Sequence, residues 1–316
     1  MADVRYAVVT PARDEAAFIE QTLRSVVGQT IQPAAWVVVD DGSADETRAI
    51  VERYASEHQF VRLMDAGERA LVTEKDRLSL GAEIVAFNVG LATLCLADLD
   101  FIVKLDADMR FEPDYFERLF AHFDADPALG IAGGLLYEEH DGRLVPDRDP
   151  PWHVRGATKV YRRACFEDIG GLLPLLGWDG ADEAQAYLAG WRTRSFDEPS
   201  CVHLRPQGTS GGGALHGRAR LGLASYVLRY HPIWVGVRSL RLAAKKPYVL
   251  GGFAYLFGYL RAILQRPPRL EDRAAARYIR RAQLQRILGA RPYDLAENTA
   301  DAATPGPPDR RSDLGV

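Results

Sequence analysis

The chain has 316 residues, of which 47% are apolar and 26% charged, and a formal net charge of −4 at neutral pH. That size and apolar content allow one large buried core, alone or with an appendage. Three cysteines, Cys95, Cys165 and Cys201, share no short spacing, which argues against a disulfide scaffold or a zinc ribbon.

Along the first half, strand-like and helix-like patterns alternate. A strand at about 5–10 precedes a helix at about 16–28, whose Ile19, Leu23, Val26 and Val27 follow the 3.6-residue period. A strand at about 35–40 follows, and Ser43 with Glu46 reads as a capping box opening a helix through Tyr54. Next come a strand near 60–64, a helix near 81–96 and a strand at 101–105. Glu112-Pro113-Asp114 opens a helix to about 124, and Ile131 to Tyr137 reads as a strand. Strands separated by helix-length segments imply βαβ units and a parallel sheet. The strand-like run Tyr6-Ala7-Val8-Val9 leaves no room before it for a signal peptide, so a reducing cytoplasm is the expected setting.

Charge is divided unevenly. Residues 205–291 carry 17 Lys and Arg against only Glu271 and Asp272, while the rest of the chain carries 22 basic and 41 acidic side chains. A basic C-terminal third suits an anionic surface. Within it, the uncharged, aromatic-rich run from Tyr248 to Leu260 lies between Lys245-Lys246 and Arg261. Spanning a bilayer takes about 20 apolar residues, so this shorter run reads as an interfacial or re-entrant helix on an anionic membrane, in preference to a plain core helix. Duplex nucleic acid is a poorer partner, because acidic clusters elsewhere would repel it. From about 292 onward, Pro305, Pro307, Pro308 and the charges around them read as a disordered tail.

Two apolar runs stop abruptly at carboxylates: Val37-Val38-Val39-Asp40-Asp41 and Phe101-Ile102-Val103-Lys104-Leu105-Asp106-Ala107-Asp108. Both read as buried parallel strands whose C-terminal tips face solvent, which is where open α/β sheets bind ligands. No G-x-G-x-x-G follows the first strand, and neither a phosphate-loop motif nor a nucleophile elbow is present. What remains is an acidic site suited to a cation, a hydroxyl-rich ligand, or both.

In order and spacing, Pro11-Ala12-Arg13-Asp14-Glu15, Val39-Asp40-Asp41-Gly42-Ser43, Ala86-Phe87-Asn88-Val89-Gly90 and Leu105-Asp106-Ala107-Asp108 resemble the signatures of family 2 glycosyltransferases, inverting enzymes of GT-A fold. The likeness covers roughly residues 4–205. It implies an α/β, GT-A type nucleotide-diphospho-sugar transferase fold: a mostly parallel central sheet flanked by helices, here with a helical C-terminal extension. The domains expected are a catalytic unit at 1–205 (nucleotide half about 1–110, acceptor half about 111–205), the basic extension at 206–291 and the tail at 292–316.

By the same resemblance, Pro11, Ala12 and Glu15 face the nucleoside, Asp41 pairs with the base and Asp106 faces ribose or a metal-bound water. Asp108, with Asp106, ligates Mn²⁺ or Mg²⁺, hard ions that take oxygen donors and bridge phosphates. Turn formation and helix N-terminal charge account for Asp40 and Asp45. His203 is placed to complete the metal shell, and Arg205 opens a segment that reads as a mobile loop over the diphosphate. The base that deprotonates the acceptor is an Asp about eleven residues before a Gly-aromatic-Arg segment. Gly190-Trp191-Arg192 makes that residue Asp179, with Asp182 close behind; an early-helix carboxylate is the alternative reading of Glu183.

Two departures stand out. Trp178 occupies the place of the usual Glu before the base, and Glu83 stands where many relatives carry a cation; Arg69, Lys75 or Arg77 are possible substitutes toward the diphosphate. On the acceptor side, Gly156 allows close backbone approach, while Trp152 and Trp178 suit either sugar stacking or the core. Q-x-x-R-W is absent, which favours a non-processive hexosyltransferase. The implied reaction is metal-dependent transfer from a nucleotide diphosphate sugar to an acceptor hydroxyl, carried by a lipid-linked or other saccharide of exopolysaccharide or cell-envelope synthesis, at the cytoplasmic face of the inner membrane. A sugar-nucleotide-binding protein without transferase activity, or a nucleotidyltransferase on a related sheet, are the alternatives.

Overall fold

Short β-branched strands that must bury both faces need a parallel sheet covered on two sides. The computed structural model describes residues 4–67, 81–140, 143–205 and 213–289. In it β1 (Tyr6–Ala12), β2 (Ala35–Asp40), β3 (Val61–Asp65) and β4 (Phe101–Leu105) pair in parallel in the order β3-β2-β1-β4. Arg69, Lys75, Arg77, the segment from Pro206 to Gly212 and the tail lie outside the described residues.

Beyond β4 the sheet changes character. β5 (Met109–Phe111), β6 (Leu129–His140), β7 (Arg143–Asp147), β8 (Thr158–Arg162) and β9 (Arg192–His203) extend it in the order β4-β8-β6-β9-β5, with β7 hairpinned onto β6. The β4–β8, β6–β8, β6–β7 and β5–β9 pairs are antiparallel, and β6–β9 is parallel. The sheet is thus parallel from β1 to β4 and mixed beyond it.

Alternate residues of β1 point to opposite layers, as the two-residue period of a strand requires. Tyr6 and Val8 join a core with α1 (Ile19–Val27), α2 (Thr47–Glu57) and α4 (Tyr115–Ala125), where Phe116, Phe120 and Phe123 pack. Ala7 and Val9 join the other core with α3 (Ala82–Leu91), α5 (Arg163–Asp168) and α6 (Trp178–Leu188). The Ala86–Gly90 motif proves to be a packing device. A methyl on Gly90 would press within 3 Å of the Val39 and Val9 side chains, and Asn88 Nδ2 donates to the Leu172 carbonyl at 3.1 Å.

The capping box does not form. The second helix begins at Thr47, and Ser43 Oγ instead accepts from the Asp14 amide at 3.1 Å. Asp45 takes the start of this helix, its Oδ1 accepting from the Thr47 amide at 3.0 Å. Local spacing could not show that the first-strand loop competes for Ser43.

The extension is four helices: α7 (Gly213–Val227), α8 (Pro232–Ala243), α9 (Val249–Gln265) and α10 (Arg273–Ile287). Glycines bring α9 onto its neighbours, since a methyl at Gly258 would strike the Ala219 carbonyl and one at Gly222 the Tyr255 carbonyl. The result is a helix turned inside out. Gly251, Gly252, Tyr255, Gly258 and Ala262 are buried, whereas Leu250, Phe253, Phe257, Leu260 and Leu264 are exposed. Among the described residues no helix is long and apolar enough to cross a membrane.

Candidate active site

The acidic tips converge as parallel topology dictates. Pro11 and Ala12 pair with Val39 and Asp40, so the ends of β1 and β2 lie side by side with Asp41 immediately beyond. Asp40 belongs to the turn: its Oδ1 accepts from the Ser43 amide at 3.0 Å, and Arg48 lies 3.4 Å from its Oδ2.

Asp108 and His203 meet through the small β5–β9 ladder. Met109 pairs with His203, and the Leu204 amide donates to the Asp108 carbonyl at 2.8 Å. His203 Nε2 stands 3.2 Å from Asp108 Oδ1, and donor atoms of Asp106, Asp108 and His203 all fall within 4.8 Å of one another. The His203 Nδ1 is buried without a hydrogen-bond partner among the described residues. Two carboxylates and an imidazole with an unused nitrogen fit Mn²⁺ or Mg²⁺. Burial works against charge on His203, but Asp108 and then Asp106 outweigh it and raise its pKa.

Glu15 and Arg205 form an ion pair beside this cluster, and Arg205 Nε lies 3.7 Å from Asp108 Oδ2. Burial, with Asp108 adding to it, pushes the Glu15 carboxyl up to about 7, although Arg205 pulls it back.

Two lysines that the sequence reading passed over organise the rest. Lys104 on β4 and Lys159 on β8 are direct cross-strand partners, 1% and 0% exposed. Like charges placed opposite each other repel, so each has its own carboxylates. Lys104 pairs with Asp106, reaches Glu83 at 3.8 Å and donates to the Gly156 carbonyl at 2.9 Å. Lys159 donates to both oxygens of Asp182 at 2.9 Å and to Glu183 at 3.3 Å. Both ammonium groups lie over the Trp178 ring, at 5.1 and 5.4 Å from its centroid, where a ring face attracts cations. Trp178 Nε1 donates to Glu83 at 2.7 Å, and a methyl on Gly156 would lie 2.9 Å from the same ring. The two departures from the family pattern therefore bond to each other.

The three candidate bases now separate. Asp182 accepts from Lys159, from Tyr161 Oη at 2.6 Å and from the Glu183 amide at 2.6 Å. Glu183 accepts from Lys159, from the Val154 amide at 2.7 Å and faces His153 Nδ1 at 3.0 Å. Asp179 accepts no side-chain hydrogen bond among the described residues; its nearest charged neighbour is His153 Nε2, at 4.0 Å. Burial opposes its charge, yet His153 and Lys159 prevail and hold its carboxyl below the ordinary range. His153 itself is pushed up to about 9, Glu183 outweighing burial.

Asp106, Gly156, Trp178, Asp179 and His203 line one cleft of about 510 Å³, and α7 closes it with His216, Arg218 and Arg220. A sheet with acidic strand tips, an Asp-x-Asp beside a histidine and a separate carboxylate lining the same cleft defines the class: a GT-A scaffold. Residues 7–173 match the description "Glycosyl transferase family 2". The chain belongs to that family.

Among relatives, it is 30% identical over 179 residues to the "Putative glycosyltransferase EpsH" of Bacillus subtilis, covering 51% of this chain and 47% of that one. It is 22% identical over 224 residues to the "Glucosyl-dolichyl phosphate glucuronosyltransferase" of Haloferax volcanii, covering 65% and 64%. The chain thus spans less than two thirds of either relative. Staphylococcus aureus TarS residues 1–349, solved in complex with UDP-GlcNAc, superposes with a TM-score of 0.51 at 18% identity, over 83% of this chain and 73% of that one. That likeness shows the shared fold.

Proposed function

We propose that the chain transfers a single sugar from a nucleotide diphosphate sugar to an acceptor hydroxyl, with inversion and with Asp179 as the base. One observation carries this reading: of three neighbouring carboxylates, Asp179 alone keeps its carboxylate oxygens free of hydrogen bonds among the described residues while lining the cleft with Asp106 and His203. A proton acceptor on one side and an acidic metal shell on the other suit a one-step displacement between them.

Asp106, Asp108 and His203 would hold Mn²⁺ or Mg²⁺. When bound, the ion supplies Lewis-acid stabilisation of the departing diphosphate. Lys104 fixes the Asp106 carboxylate and the Gly156 carbonyl together, tying donor and acceptor sides to one buried ammonium. Pro11, Ala12, Glu15 and Asp41 are assigned to the nucleoside, with Arg205 toward the diphosphate. The catalytic unit is taken as 1–205, although α7 beyond it contributes to the cleft wall.

The acceptor is proposed to be lipid-linked, met at the cytoplasmic face of the plasma membrane. The inside-out α9 supports this. Its exposed Leu250, Phe253, Phe257, Leu260 and Leu264 recur at helical spacing, and Lys245, Lys246, Arg261 and Arg266 flank them. Fully burying one such side chain is worth about 1.5–3 kcal/mol, and basic flanks add attraction to anionic headgroups. A second copy would bring the same cations face to face.

The full chain should therefore co-sediment with phosphatidylglycerol vesicles, and Phe253→Glu with Phe257→Glu should weaken that at least tenfold. Both positions are exposed, so the fold is retained. Equal partition of the double variant would remove the membrane-facing role of α9.

A further inference from the structure

Arg229, Arg269, Arg273 and Arg280 do not line the transfer cleft, yet the fold gathers them beside the C-terminus of α7. Arg269 Nε donates to the Tyr226 carbonyl at 3.2 Å and Arg280 Nε to the Arg229 carbonyl at 2.7 Å. Arg229 Nε donates to the Leu270 carbonyl at 2.7 Å. The Arg269 guanidinium also lies 4.5 Å from the Tyr226 ring centroid. Three side chains are thus fixed through Nε, while their terminal nitrogens carry no hydrogen bond among the described residues. Burial first, then Arg269, Arg273 and Arg280, depresses the Arg229 guanidinium, so the four charges act on one another.

Capping alone does not call for this arrangement. A helix C-terminus presents roughly half an elementary negative charge, against four guanidiniums. None of the four forms an ion pair among the described residues. Of the two acids in the adjoining loop, Asp272 accepts from the Ala274 and Ala275 amides and from Gln185, and Glu271 is exposed. The support beneath the cluster is stiff. Pro267 and Pro268 fix two φ angles just before Arg269, and the buried Leu270 donates its amide to the Val227 carbonyl at 2.9 Å. Arg229 holds a φ of 57°, in the left-handed region. Glycine would take that conformation without strain, so a charged side chain is kept there against the backbone's preference.

We propose that Arg229, Arg269, Arg273 and Arg280 bind a phosphate dianion at a site separate from the transfer cleft. Guanidinium forks match phosphate oxygens in pairs, and a tetrahedral dianion engages several forks where a carboxylate offers two oxygens. Two sources carry that chemistry: the phosphomonoester headgroup of a membrane lipid, and phosphate free in solution. Arg269 closely follows the exposed Leu264 that ends the apolar stripe of α9, so vesicles belong in the test. The proposal is independent of which residue is the base.

The test is calorimetric titration of the full chain with inorganic phosphate, without metal or nucleotide, at constant ionic strength set by NaCl. Wild type should bind, and Arg229→Gly and Arg273→Gln should each bind at least tenfold more weakly. The Arg273 side chain is exposed and makes no hydrogen bond among the described residues, so its replacement leaves the fold intact. Thermal unfolding checks both variants. Saturating Mn²⁺ with whichever of UDP, GDP or dTDP binds should leave the phosphate affinity within twofold. Displacement of phosphate by nucleotide, with both variants binding like wild type, would put the anion in the cleft and overturn the proposal. Failure to bind any nucleotide strikes the transferase reading instead, and leaves the phosphate titrations readable. Vesicles of phosphatidic acid and of phosphatidylglycerol, matched in surface charge, identify the source. Stronger co-sedimentation on phosphatidic acid, lost in Arg273→Gln, assigns a lipid headgroup; equal co-sedimentation with phosphate still bound assigns a soluble phosphate. Wild type that neither binds phosphate nor prefers phosphatidic acid would overturn the site.

Discussion

Asp179→Asn should lower kcat by about 10²–10⁴, the range that removing a general base produces, with donor KM changed less than threefold. The amide is nearly isosteric, and Asp179 accepts no side-chain hydrogen bond among the described residues, so little structure depends on its charge. Nucleotide release from several sugar nucleotides, followed with Mn²⁺ present, measures this. Full activity would move the role to Asp182. That residue is a poor candidate, because its oxygens already accept from Lys159, Tyr161 and the Glu183 amide. An acceptor hydroxyl arriving there would find its lone pairs committed.

Lys159→Met should destabilise the protein by about 3–5 kcal/mol, the cost of stranding one side of a buried ion pair. The substitution keeps the length and apolar stem of the side chain but leaves Asp182 and Glu183, 2% and 7% exposed, without their ammonium. Replacing Lys159 and Asp182 together by Met and Asn should recover part of the loss. Urea unfolding at constant pH reads both effects. A single variant as stable as wild type would show that these carboxylates are carried neutral, and that Trp178 and Tyr161 hold the acceptor half without the charge network.

Much of the fold was legible because its rules are local. Apolar runs ending in carboxylates locate two of the parallel strands to within a residue or two, Ala35–Asp40 and Phe101–Leu105. The four ordered motifs gave the family. What escaped depends on partners distant in sequence. Lys104 inside an apolar run was a visible anomaly, yet only the β4–β8 register sets it opposite Lys159 with Trp178 over both. That Glu83 and Trp178 compensate each other needs a contact between residues 95 positions apart.

The aromatic-rich run of α9 was read from the sequence as an interfacial helix, but which of its residues turn inward was not legible: only the glycine contacts with α7 and α8 show that the small face is the buried one. Arg220 lay among many basic residues of the extension. Nothing in its spacing separates it from Arg218 or Arg229 before α7 is packed against the cleft.

The central claim is that the acidic strand tips hold a divalent ion together with a nucleotide diphosphate. Thermal unfolding of wild type and Asp108→Asn, with UDP, GDP or dTDP and with or without Mn²⁺, tests it most directly. A ligand at 100 times its Kd stabilises by about 2.7 kcal/mol, which is several degrees in a domain of this size. One nucleotide should raise the wild-type midpoint by that amount only when Mn²⁺ is present, and the gain should vanish in Asp108→Asn. The same gain without metal and in the variant, or no gain with any nucleotide, would contradict the account.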